Sequence, residues 1–329
     1  MYSIQQEPRS LVDLLDNCYQ FGASNPRDKV YGVLSIAYPR EETQRLCVDY
    51  DKSVGEIHAD AVVAYIQHNA SLYPLCFIHH GSGYQPSEND STSWTPEGAE
   101  RARRIPAEDS PLSACKKMPV SWVAPCDVNS RQLCLEGIFY SRIDRVQAEM
   151  DLDNLAQGRK HPFVDIYLAI LGGRNIERPG DLERMEVLAR TLTAGCDSSN
   201  EHLDNAGAEK GLEFVTSFLT SMTCLASEED YVSRKVALAQ ESFYGEAEVV
   251  CTGRRLFHTA MGDFGLVPAA ARPGDIAVVL FGGDSPYILR LHNRSYLFIG
   301  QAYIDGLMKG LLIDKMEMGM VCKQEFRLI

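Results

Sequence analysis

Apolar residues recur at three- and four-residue spacing in the first third of the chain and at two-residue spacing in the last third, which predicts helices first and strands last. Ser10 stands as an N-cap before Leu11, Leu14, Leu15, Cys18 and Tyr19, a buried helical face that ends at Phe21-Gly22. Asn25 then caps, and Pro26 sits at a first helical position where its missing N–H is not needed, so a second helix is expected over 27–37, burying Val30, Tyr31, Val33, Leu34 and Ile36. Ser53 and Glu56 have the spacing of a capping box ahead of a third helix, with Ile57, Ala61, Ala64, Tyr65 and His68 on one face.

Beyond the third helix the pattern breaks. Residues 81–119 are rich in Ser, Pro, Gly and charge and read as a long flexible loop. Around Gly137, alternation of Leu133, Leu135, Ile138, Tyr140 and Ile143 predicts two short strands. Helical spacing returns over 163–193, broken at Gly172-Gly173 and Pro179-Gly180, and again over 212–224 and 231–243. From 246 onward, short β-rich runs are expected at 248–251, 255–259, 264–267, 276–280, 287–291 and 296–300. The turns between them include Met261-Gly262-Asp263, Arg272-Pro273-Gly274-Asp275, Gly282-Gly283-Asp284 and His292-Asn293-Arg294. The predicted class is therefore α+β, a helical body with a small C-terminal antiparallel β-barrel or sheet. Four regions follow: 1–80 helical, 81–119 loop, 120–245 mixed, and 246–329 a β-rich barrel.

A chain of 329 residues with 45% hydrophobic content can bury a substantial core. Its 32 basic against 45 acidic residues give a net charge of -13, which argues against binding a phosphate backbone, so no nucleic-acid partner is expected. The local run Arg101-Ala102-Arg103-Arg104 lies in the polar loop and reads as solvated. Ten cysteines without a C-x-x-C spacing read as reduced thiols. No secretion signal and no membrane-length apolar run are visible, and a cytoplasmic location is expected.

Candidate chemistry is dispersed. His79 and His80 lie beside Cys76, but adjacent side chains on an extended chain point to opposite faces, so no metal site is assigned. Gly283-Asp284-Ser285-Pro286 sits between two strands as a hairpin turn rather than a nucleophile motif, and the glycine pairs lack the spacing of a phosphate loop. No catalytic residue and no cofactor are assigned. Arg27 and Asp28 have two readings, contact with a partner, or Asp28 favoured at a helix N-terminus with Arg27 pairing an acid. Trp94 and Trp122, each near a proline, plug a core edge or anchor an interface. Arg254, Arg255 and Arg290 flank predicted strands, where they are solvated or gather around an acidic ligand. Tyr303, Asp305 and Met308 are expected in a turn closing against the barrel.

Two segments carry a resemblance. NPRDKVYGVLSIA at 25–37, followed by VDYDKSVGEIHADAV at 48–62, resembles the region after the effector domain of fungal heterokaryon incompatibility proteins, and 253–290 with 296–310 resembles the end of the same proteins. Weaker echoes are SWVAP at 121–125, the strand at 133–137 and Arg190-Thr191-Leu192. On these motifs Arg27, Asp28, Tyr31, Trp122, Arg255, Gly265, Gly274, Asp275, Arg290, Tyr303 and Gly306 are the family-pattern or interaction residues. The resemblance implies a TIR-like effector domain with NAD-cleaving or death-signalling activity upstream, yet its ALSYxWG and Ile-Asn-Gln motifs do not occur here, so that chemistry is not transferred. A shortened relative or an incomplete gene product is expected. The function that follows is a non-catalytic recognition module with an unidentified protein partner, in vegetative incompatibility and self/non-self discrimination. The alternative is a small-molecule enzyme or accessory protein, for example in fungal secondary metabolism, with a pocket assembled from distant segments.

Overall fold

The computed structural model describes residues 9–18, 21–44, 46–86, 92–96, 105, 112–121, 131–150, 152, 161–171, 180–196, 216–222, 224 and 242–329. Four helices open the chain: α1 (Leu11–Asn17), α2 (Asp28–Leu34), α3 (Arg40–Thr43) and α4 (Val54–Asn69). Of the three predicted caps, those at Ser10 and Ser53 form, and Asn25 does not cap its helix. The Ser10 side chain accepts from the Asp13 N–H and Ser53 from the Glu56 N–H, each within a reciprocal capping box. Helix α2 starts one residue later than the sequence predicts, because Asn25 accepts the Arg27 N–H in a turn outside the helix, and it ends at Leu34, which leaves Ile36 exposed where burial was expected. The buried stripe of α4 is Ile57, Ala61, Val62 and Ile66, while His68 is exposed. Val62 and Ile66 face one core while Ile57 and Ala61 face another, which the single-face expectation missed.

A seven-stranded sheet runs in the order β3-β2-β1-β4-β5-β6-β7, and β1 also pairs with β7. The strands are β1 (Leu133–Glu149), β2 (Arg254–Thr259), β3 (Phe264–Pro268), β4 (Ile276–Leu280), β5 (Tyr287–His292), β6 (Ser295–Gln301) and β7 (Gln324–Leu328). The extra pairing closes β1, β4, β5, β6 and β7 into a five-stranded barrel, which removes sheet edges. Its pairings are antiparallel except β6 with β7, which run parallel.

Strand β1 organises this architecture. Instead of two short strands around Gly137 there is one strand of 17 residues, paired with β7 at its start, β4 in its middle and β2 at its end. Gly137 does not break it, and a Cβ there would meet the Val279 carbonyl oxygen at 2.4 Å, so glycine admits the close approach of β4. The run expected as a strand at 248–251 is the end of a helix, α7 (Ser242–Cys251), because Phe243, Ala247, Val250 and Cys251 share one buried face. Strand β7 and helix α8 (Leu311–Glu317) lie in sequence for which no element was predicted.

One core fills the barrel and another lies beside it. Inside, Leu133, Leu135, Val278, Leu280, Tyr287, Leu289, Phe298, Phe326 and Leu328 pack with Val62 and Ile66 of α4, and with Leu72, Leu75 and Trp94, so the helical start closes one end. On the other side, α5 (Pro162–Leu171), α6 (Asp181–Leu192), helical residues 216–222 and α7 pack through Phe163, Met185, Leu188, Phe218 and Phe243 onto Leu256 and Leu266 of the β2–β3 hairpin. The break expected at 172–179 lies outside the described residues.

Described parts of 81–119 are irregular, and 92–95 and 112–115 are buried rather than solvated. Ser93 completes the seam between β6 and β7, donating its N–H to the Ile329 carbonyl at 3.0 Å while its Oγ accepts the Phe298 N–H at 2.8 Å. Trp94, 1% exposed, plugs the barrel interior as the core reading of that residue predicts.

Candidate functional site

Within the N-terminal segment, 25–37 clasps the start of 48–62. Tyr31 on α2 donates its hydroxyl to the Asp49 carbonyl at 2.7 Å and accepts the Asp49 N–H at 3.0 Å. Arg27 donates Nε to the Lys52 carbonyl at 2.7 Å, and Asp28 Oδ1 accepts the Tyr50 hydroxyl at 2.7 Å. Arg27 thus bonds a backbone oxygen where an acid was the predicted partner. Trp122 lies outside the described residues, as does the 101–104 basic run.

In the C-terminal segment, Asp275 and Arg290 come together. Asp275, 3% exposed, accepts Nε and Nη2 of Arg290 at 2.8 Å each and also the Arg272 N–H at 2.8 Å, holding the turn in which Gly274 takes a φ of +91°. Arg290 Nη2 reaches the Ala270 carbonyl at 2.7 Å as well. Arg255 does not join this pair. Its Nε donates to the Gln147 carbonyl at 2.6 Å, tying β2 to the end of β1, and Nη1 lies 3.4 Å from the Ala269 carbonyl.

Tyr303 and Gly265 meet at a second junction. Leu266 and Tyr303 exchange backbone hydrogen bonds at 2.9 Å, and a Cβ on Gly265 would stand 2.0 Å from the Tyr303 carbonyl oxygen, so only glycine permits the bridge. The Tyr303 hydroxyl donates to Asp305 Oδ1 at 3.0 Å, and Arg190 on α6 grips the same carboxylate with Nε at 3.1 Å and Nη2 at 3.0 Å. Gly306 lies in the short 3-10 turn Asp305–Leu307, with open space around it.

The histidines point at separate carbonyls. His79 donates from Nε2 to the Gly253 carbonyl at 2.9 Å and His80 to that of Ser93 at 2.9 Å. Burial, with Arg254 nearby, pushes the His79 imidazole down to about 4, and burial lowers His80 as well. Cys251 is held up by complete burial, which keeps it a thiol.

The end of the barrel opposite the α4 plug is open. A cavity of about 460 Å³ is lined by Phe139 and Arg142 of β1, Ile276, Leu291, Tyr296, Val321, Cys322 and Gln324. Register explains the convergence. A bulge between Phe139 and Ser141 places Phe139 opposite Val278 and Arg142 opposite Ile276, both inward-facing residues, so two β1 side chains are aimed at the mouth. Sequence reasoning did not find this site. The one signal for it was the phase slip in alternation between Ile138 and Ile143, which marks a bulge once β1 is known to be continuous.

Residues 225–329 match the family model of the Het-6 beta-barrel domain. Over 93% of its length the chain is 26% identical to heterokaryon incompatibility protein 6, OR allele, of Neurospora crassa, covering 52% of that protein, so it spans about half the length of the curated relative it matches. No solved structure matches the chain. Strand β1 lies outside the matched barrel region although it closes the barrel. The barrel at the end of the chain is thus similar to the Het-6 beta-barrel domain, and the chain as a whole is similar to a heterokaryon incompatibility protein.

Proposed function

We propose that the chain is a non-catalytic recognition module acting in HET-type incompatibility, where it contributes to self/non-self discrimination through a protein partner. The observation that supports this most is how the family-pattern side chains are used. Arg27, Tyr31, Arg255 and Arg290 each bond backbone carbonyls between distant segments, and Asp275 and Asp305 are occupied by arginine forks. Side chains committed in this way position loops rather than move protons. The described lining of the mouth cavity contains one cysteine and no histidine or carboxylate, which does not favour an acid–base enzyme.

The role is testable by exchange. Replacing the matching segment of the Neurospora relative with this chain, at equal expression, is expected to change which tester strains the host rejects on fusion. An unchanged rejection pattern overturns the proposal, as does turnover of a small molecule by the purified chain.

A further inference from the structure

We propose that the open barrel mouth is a docking site for an acidic–apolar peptide segment of a partner protein, with Arg142 receiving the carboxylate and Phe139, Leu291 and Tyr296 receiving the flanking apolar side chains; this rests on the recognition role above and deepens it. Four observations carry it. First, the cavity of about 460 Å³ is bounded mainly by apolar side chains yet has one charged lining residue, Arg142. No carboxylate pairs with the Arg142 side chain among the described residues, whereas Arg190, Arg290 and Arg327 each hold one. Arg142 is itself exposed at the mouth, so its charge is within reach of a carboxylate brought there.

Second, the β1 bulge aims Phe139 and Arg142 at the opening together, and Tyr140 between them turns away to donate to Asp263. Third, large apolar side chains stay exposed here. Leu291 is 62% exposed and Phe139 39%, and Met318 and Met320, just before lining residue Val321, are exposed too. Unbranched methionines adapt to varied apolar partners. Fourth, the site is open to solvent on one side. A small-molecule pocket covers roughly 70–90% of its ligand, but a mouth whose walls are this exposed leaves one side of any occupant uncovered, which suits a segment presented from a larger surface.

The test pans a randomised hexapeptide display library on the purified full chain, so its outcome is independent of the strain-exchange result. Enriched sequences are expected to carry Asp or Glu beside an aromatic or large aliphatic residue. Synthetic peptides of that sequence are expected to lose about tenfold in affinity on Arg142→Gln, less on Arg142→Lys, and to lose binding on Leu291→Asp, with unchanged circular dichroism and melting. Decanoate and 4-phenylbutyrate are expected not to displace them. Enrichment without an acidic residue, binding indifferent to Arg142 and Leu291, no enrichment over the Leu291→Asp chain, or binding of the free acids alone overturns the proposal.

Discussion

The Asp275 carboxylate and the Arg290 guanidinium form a two-pronged pair with both bonds at 2.8 Å, and Asp275 is buried beneath it. The pair locks the turn that feeds β4 to the strand β5 beside it. Removing one partner leaves a buried charge unanswered, so Arg290→Met is expected to destabilise by about 3 kcal/mol. The double variant Asp275→Asn with Arg290→Met is expected to cost less than the sum of the two single variants. Urea denaturation of the four proteins measures the coupling, and strict additivity would refute the pairing.

Tyr31 carries two hydrogen bonds to the Asp49 backbone, as donor and as acceptor. Tyr31→Phe removes both and strands a partly buried N–H and C=O, an expected loss of about 1–2 kcal/mol. Amide exchange at Asp49 should accelerate in the variant. Unaltered protection there would show that the clasp does not form in solution.

His79 sets a pH dependence. Its folded value, about 4, lies below the unfolded 6.5, so the unfolded chain binds the proton more tightly and folding stability falls as pH drops from about 6.5 to about 4. The full effect is about 3 kcal/mol, present above pH 6.5 and exhausted below pH 4. Glu56 and Glu136, whose hydrogen bonds lower them, lose stability in the same direction at more acid pH, while burial raises Glu42 and works against them. Subtracting the curve of a His79→Gln variant isolates the histidine. A difference curve flat between pH 4 and 6.5 would contradict the buried neutral imidazole.

Strand β1 predicts that the matched barrel region is not self-sufficient. Residues 225–329 alone lack the stave between β4 and β7 and expose two long edges. That fragment is expected to aggregate or lack a cooperative melt. Adding a separate peptide spanning 131–150 should bind and restore one. A monomeric, cooperatively melting 225–329 fragment would refute the closure by β1.

Elements with local punctuation were legible in the sequence. The Ser10 cap, the Ser53–Glu56 capping box, the 272–275 turn and the 292–294 turn, where Asn293 and Arg294 take positive φ, follow from chemistry within four residues. What escaped depends on partners far along the chain. Gly137 looks like a break until the Val279 oxygen is placed against it, and 248–251 has strand-like residues whose burial makes helix the better solution. The mouth was invisible for the same reason. Its lining comes from five strands and a loop, brought together by register rather than by spacing.

One paired comparison in the exchanged Neurospora protein tests the central claim, that the family-pattern residues hold a scaffold whose contact surface lies at the barrel mouth. Leu291→Asp changes an exposed position and is expected to shift the melting temperature by no more than about 2 °C while abolishing the chain's effect on strain rejection. Tyr31→Phe is expected to lower the melting temperature by several degrees and leave the rejection pattern intact at permissive temperature. The reverse outcome, rejection lost with Tyr31→Phe at full occupancy of the fold and retained with Leu291→Asp, would contradict it.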